Sequence, residues 1–169
     1  YWLSDTPEVI GSTTWGNRNR RMVTWVRFRD LATKQELFVV NTHFDHEIAE
    51  AREKSAALLR ERIALLDPAL PLIVTGDFNA PAERGAVYET LVGDGTLVDT
   101  WTAAEMRGEL IGTFHNYRGP VPGGIRIDWI LTRGPVTSLE TEVVTYEQDG
   151  QYPSDHFPVL ARLRLGGSE

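Results

Sequence analysis

Four short motifs hold most of the side chains in this sequence that could do chemistry: Asn41-Thr42-His43, Gly76-Asp77-Phe78-Asn79, Arg126-Ile127-Asp128-Trp129 and Ser154-Asp155-His156. Each sets a carboxylate, amide or imidazole at or just beyond the end of an expected strand, which is where α/β proteins collect catalytic groups. Together these types suit the cleavage of a phosphate ester. A carboxylate can direct a water, and amide and imidazole N–H groups can hold phosphate oxygens.

In Gly76-Asp77-Phe78-Asn79, glycine is expected to let the strand turn sharply, so that Asp77 and Asn79 project from one loop. The alternative is an Asx turn in which both side chains bond local backbone. Asp128 falls inside an apolar stretch, residues 125–131, where a carboxylate is costly unless paired. His156 is its expected partner, with the nearby Arg126 as the alternative. In Ser154-Asp155-His156, Asp155 can face a metal or its water while His156 faces the phosphate, and Pro158 stiffens the loop. The alternative there is a polar loop with His156 at the surface.

His43 is expected to donate to a phosphate oxygen. Asp45 is either a helix cap or functional, and His46 reads as a first-turn surface residue. Arg18, Arg20 and Arg21 sit in one loop and could meet a phosphate, while Arg27 and Arg29 read as a solvated strand edge. Arg52 is a phosphate clamp or simply solvated. His115, with Trp15, Trp101 and Tyr117, either lines a pocket or packs. Arg21, Asn41, Arg52 and His115 are carried as candidate substrate contacts.

The elements that must position these groups alternate between the two periodicities. Strands are expected over residues 21–29, 36–42, 71–76, 125–132, 139–146 and 158–165. The first two read as a hairpin. A helix is expected over residues 47–66, with Ala51, Ser55, Leu59, Ile63 and Leu66 on one face and Asp45 or His46 capping it. A second helix is expected over residues 83–92. Residues 96–124 read as mostly loop, anchored by Trp101 and Phe114, and residues 166–169 as a flexible tail. The order implies an α/β sandwich with mixed, mainly antiparallel pairing.

The 169 residues suffice for one domain with a real core. No apolar run approaches a membrane span, and residues 1–5 carry neither the basic start nor the apolar stretch of a leader. That leaves the compartment open. The absence of cysteine excludes disulfides, thiolate metal sites and a cysteine nucleophile. Oxygen and imidazole donors favour a hard cation such as Mg²⁺ or Mn²⁺. A net charge of −7 argues against a protein that grips long nucleic acid and towards a small anionic substrate.

The four motifs resemble the later motifs of the endonuclease/exonuclease/phosphatase superfamily, the DNase I-like fold, from about Trp2 to Leu165. The wording Trp2-Leu3-Ser4, Trp15-Gly16 and Asn41-Thr42-His43-Phe44-Asp45-His46 is similar to an uncharacterised bacterial branch. The resemblance implies a four-layer α/β sandwich with two facing sheets and Mg²⁺-dependent cleavage of phosphate esters. It implies that Asp77 orients or deprotonates the attacking water, and that Asn79 and His43 hold phosphate oxygens. Asp155 sits near the metal, with Asp77 and Asn79 as further candidate ligands, and Asp128 orients His156.

The superfamily's early Asn and metal-ligating Glu have no counterpart here. The expectation is therefore the C-terminal portion of a longer domain over residues 1–165. Such a span should be weakly active or inactive alone, and should expose an apolar sheet face that needs the missing half or another chain. Two rival readings stand beside this one. One is a binuclear hydrolase using His43-x-Asp45-His46, opposed by Asn41 where a further His is needed. The other is a binding domain that has lost its chemistry.

Overall fold

The computed structural model describes residues 1–166. Strand β1 (Val23–Arg29) pairs antiparallel with β2 (Glu36–His43), the expected hairpin. Helix α1 (Ala49–Ala64) then carries the chain back, so that β3 (Leu72–Asp77) lies parallel to β2. Helix α2 (Ala86–Val92), strand β4 (Val98–Asp99), helix α3 (Thr100–Ala103) and strand β5 (Met106–Arg107) follow. The chain closes with β6 (Asp128–Arg133), β7 (Val136–Val143) and β8 (Val159–Leu165). Five strands form one sheet in the order β1-β2-β3-β6-β4, and β5-β7-β8 form a second. Both mix parallel and antiparallel pairs.

The main core lies between the larger sheet and its helices. Phe38, Val40, Leu72, Val74, Trp129 and Leu131 alternate onto one face and meet Ala56, Leu59 and Ile63 of α1 and Val87 and Leu91 of α2. Ser55 on the buried face of α1 is satisfied by the Ala51 carbonyl at 2.6 Å. Phe78 stacks on Trp129 with ring centroids 4.3 Å apart, which anchors the loop after β3. The hairpin leaves Trp25, Val26 and Phe28 about half exposed. Among the described residues no helix is long and apolar enough to cross a membrane.

Several boundaries differ from expectation for local reasons. Helix α1 starts at Ala49 because Asp45 takes the Glu47 and Ile48 N–H groups, at 2.9 and 2.7 Å. It ends before Leu65, whose N–H and that of Leu66 bond three residues back. Helix α2 begins only at Ala86 because Glu83 and Gly85 hold φ of 64° and 83°. Strand β6 begins at Asp128, since the carbonyls of Ile125, Arg126 and Ile127 accept from Thr113, Ala82 and Phe78. Strand β7 starts at Val136, directly after a turn at Gly134 with φ of 85°. The stretch read as loop holds β4, α3 and β5, too short to carry a periodic pattern. Gly166, expected in the tail, donates to Pro135 O at 2.6 Å, and residues 167–169 lie outside the described residues.

Candidate active site

The register of the larger sheet builds most of the site. His43 pairs with Asp77 across β2 and β3, and Asp77 pairs with Asp128 across β3 and β6. Cross-strand partners share a face, so three adjacent strand ends present imidazole, carboxylate and carboxylate in one row. Gly76 makes this possible, though not by turning the chain as expected. It lies within β3, where a Cβ would stand 2.5 Å from the Thr42 carbonyl oxygen, so glycine is what lets β2 and β3 approach here.

The fourth motif reaches the row from the loop before β8. Phe157 donates to Thr113 O at 2.8 Å, and the Thr113 hydroxyl accepts the Ile127 and Asp128 N–H groups, at 2.9 and 3.2 Å. The fully buried Thr113 thus ties the His156 loop to the start of β6. His156 Nδ1 lies 2.9 Å from Asp128 Oδ2, and Nε2 lies 3.9 Å from Asp77 Oδ2. His43 Nε2 stands 3.2 Å from the same Asp77 oxygen. These groups share a cleft of about 640 Å³ with Asn79, Asp155, Arg21, His46, Phe114 and Ile127. A smaller apolar recess by Tyr1, Trp25 and Leu66 holds none of the clustered acids.

The Asx-turn and functional readings of Gly76-Asp77-Phe78-Asn79 both hold. Asp77 Oδ1 accepts the Asn79 N–H at 2.8 Å, and Asn79 takes a left-handed φ of 48°. The Asn79 amide donates to Phe44 O at 3.0 Å and reaches Asp77 Oδ2 at 3.4 Å. The second, longer contact is the one easily exchanged for a substrate oxygen.

Charge divides the site. Burial first, then the neighbouring Asp128, pushes the Asp77 carboxyl above its ordinary value, opposed by the Asn79 N–H, His156 and Arg21. Burial works against the charged His156 ring, but the hydrogen bond and charge of Asp128, with Asp77 and Asp155, raise it above 6.5 overall. His43 goes the other way. Burial, Arg21 and His156 lower it, so near neutral pH it is an uncharged ring with one N–H to give. The site therefore offers a carboxylate biased towards holding a proton, an imidazole biased towards its charged form and one biased towards its neutral form.

Three candidate substrate contacts fall outside the cleft. Asn41 lies two residues before His43 on β2, with its side-chain oxygen taken by the Thr75 hydroxyl at 3.0 Å. Arg52 donates to Asp45 O at 2.9 Å and braces the turn before α1. His115 is 4% exposed, stacked on Phe157 at 3.8 Å, with neither ring nitrogen hydrogen-bonded. It packs behind the His156 loop and does not line the pocket. Neither Asp45 nor His46 caps α1, whose N-cap is Ile48 with no side-chain bond. Asp45 is 2% exposed and committed to the Glu47 and Ile48 N–H groups of the preceding turn, which removes it as a metal ligand and with it the binuclear alternative. Arg126 pairs with Asp99, not with Asp128. Phe114, expected as a packing anchor, is 47% exposed and faces the cleft beside His156, its ring centroid 5.0 Å away. Sequence reading missed Thr113 and the place of Phe114, because only the Phe114–His156 bridge between distant loops puts them there.

A sequence model described as "Endonuclease/Exonuclease/phosphatase family" matches residues 3–156. A UPF0294 protein of Vibrio cholerae is 34% identical over 145 residues, aligned over 83% of this chain and 44% of its own length. The solved structure of a mannosyl-6-phosphatase from Bacteroides thetaiotaomicron superposes with a TM-score of 0.88 at 32% identity. That match covers 98% of this chain and 64% of the other. An endonuclease/exonuclease/phosphatase from Bacteroides vulgatus gives the same TM-score, identity and coverage. This chain thus spans under half the length of the curated relative and about two thirds of the solved ones. With its two mixed sheets in the DNase I-like arrangement and its four motifs on one cleft, the chain belongs to the endonuclease/exonuclease/phosphatase family.

Proposed function

We propose that this chain carries the catalytic cleft of a metal-dependent phosphoesterase that hydrolyses a phosphate mono- or diester by in-line attack of water. The observation that supports this most is the convergence of His43, Asp77, Asp128 and His156 from four separate stretches, with both imidazoles within 4 Å of one Asp77 oxygen. Asp77, its proton affinity raised by burial, takes the proton of the attacking water. His156, oriented through Nδ1 by Asp128, turns Nε2 to a phosphate oxygen and holds the charge that builds there. Neutral His43 and the Asn79 N–H that now makes the long contact to Asp77 hold further phosphate oxygens.

The donor chemistry fits a hard divalent cation, Mg²⁺ or Mn²⁺. Asp77, Asp128 and His156 offer ligand atoms within 4.8 Å of one another. Asp128 is engaged with His156, whereas among the described residues the Asp155 side chain has only the Ser154 hydroxyl, at 3.4 Å. Asp155 and the Asn79 side-chain oxygen, which line the same cleft beside Asp77, are the groups that would hold the ion. When bound, such an ion neutralises phosphate oxygens and stabilises the departing group. The negative net charge and a compact cleft support a small substrate over nucleic acid.

A panel of phosphate esters, incubated with the natural full-length protein plus Mg²⁺ or Mn²⁺, tests this reading. Release of phosphate or alcohol that stops on chelation is expected. No release from any ester with either ion contradicts it.

A further inference from the structure

Of the three clustered arginines only Arg21 reaches the cleft. Arg20 is exposed and lies along Gly11, and Arg18 is exposed as well. Arg21 has no carboxylate partner among the described residues. Its Nη2 lies 3.3 Å from His46 Nδ1, and its Nε is buried without a partner. A guanidinium only donates, so His46 must accept through Nδ1 and carry its proton on Nε2, which stands 3.7 Å from Glu47. His46 therefore acts as a prop that holds the guanidinium in place. Arg21 is also near enough to lower both Asp77 and His43 by its charge.

The donors now outnumber what a diester can use. His43, Asn79, His156 and the Arg21 fork face one cleft, while a phosphodiester has two non-bridging oxygens and one negative charge. A monoester has three such oxygens and a charge close to −2 at neutral pH. Its third oxygen needs a partner, and a guanidinium fork suits a terminal phosphate well. Resting on the phosphoesterase reading above, we propose that Arg21, propped by His46, is a specificity determinant that selects a terminal phosphate, making phosphomonoesters the preferred substrate class.

The test compares wild type, Arg21→Gln and Arg21→Lys in the natural full-length protein, with Arg20→Gln as a charge-matched control. Hydrolysis of an aryl phosphomonoester and of the matching diester is measured with Mg²⁺, and inorganic phosphate and dimethyl phosphate binding are measured by titration calorimetry without metal. Arg21→Gln is expected to lower kcat/KM for the monoester by roughly 10- to 100-fold and phosphate affinity by about tenfold, the size of a lost charge-assisted bond. The diester should change by less than about threefold on the same scale, with Arg21→Lys intermediate and Arg20→Gln like wild type. Equal losses on both esters, or unchanged phosphate binding, overturn the assignment while leaving a phosphoesterase. Hydrolysis of neither ester by wild type overturns the monoester preference; it sinks the parent reading as well only when the wider panel also fails with both ions.

Discussion

Two ion pairs leave the same stretch of chain from residues two apart, and they could hardly be more different. Arg126 pairs with Asp99 at 2.8 Å, both side chains at most 1% exposed. Asp128 pairs with His156 at 2.9 Å, both about a quarter exposed and open to a cleft. The Arg126 pair is closed off by its neighbours. Glu83 adds a second carboxylate at 3.1 Å, the Tyr88 hydroxyl reaches Asp99 at 3.3 Å, and the Trp101 ring covers the guanidinium at 4.8 Å. The Asp128 pair is left with more negative charge than it neutralises, since Asp77 and Asp155 stand beside it. A buried pair closed off from water holds a fold together, even with the Arg126 Nε left without a partner. An open pair with excess charge is ready to take up a proton, a cation or a substrate.

Disturbing the surroundings of each pair should therefore damage a different property. The largest effect belongs to the cleft. Asp77→Asn should lower kcat by about 10²- to 10⁴-fold while leaving the thermal midpoint close to wild type, as steady-state kinetics and melting curves will show. Next comes Arg126→Met, which strands the buried Asp99 carboxylate. It should cost about 3–5 kcal/mol of stability, read by denaturant unfolding, with activity lost only in step with the fold.

Asp128→Asn sharpens the contrast through titration. In wild type, imidazole NMR should place His156 above 6.5 and His43 below it. Raised in the folded state, His156 contributes stability that is complete below 6.5 and fades as pH climbs through its folded value. His43, depressed, contributes above 6.5 and loses its contribution as pH falls through its folded value. Asp128→Asn should bring His156 down and remove most of its part of this dependence, because the charge that raises it is gone and a neutral amide oxygen is a weaker acceptor.

How much of this was legible in the sequence follows from what each residue's position depends on. His43, Asp77 and His156 were readable because each ends or precedes a strand whose apolar pattern is plain, and parallel β2 and β3 necessarily bring their C-terminal ends together. The Asp128–His156 bond was foreseen from the cost of a lone carboxylate in an apolar stretch. Arg52, Asn41 and His115 were not placed correctly, because nothing local distinguishes a side chain that enters a cleft from one that braces a turn or stacks in a core. The short elements β4, α3 and β5 were invisible for a related reason. Each of the two strands is two residues long and owes its form to pairing with β6 or β7.

The most direct test of the central claim, that the cleft residues act as one phosphoester-cleaving unit, is a double-mutant cycle on kcat/KM with Asp77→Asn and His156→Ala in the metal-loaded full-length protein. Groups that serve one transition state are strongly non-additive, so the double variant should be scarcely slower than the worse single one. Strictly multiplicative losses, or near-normal turnover in either single variant, would contradict the account.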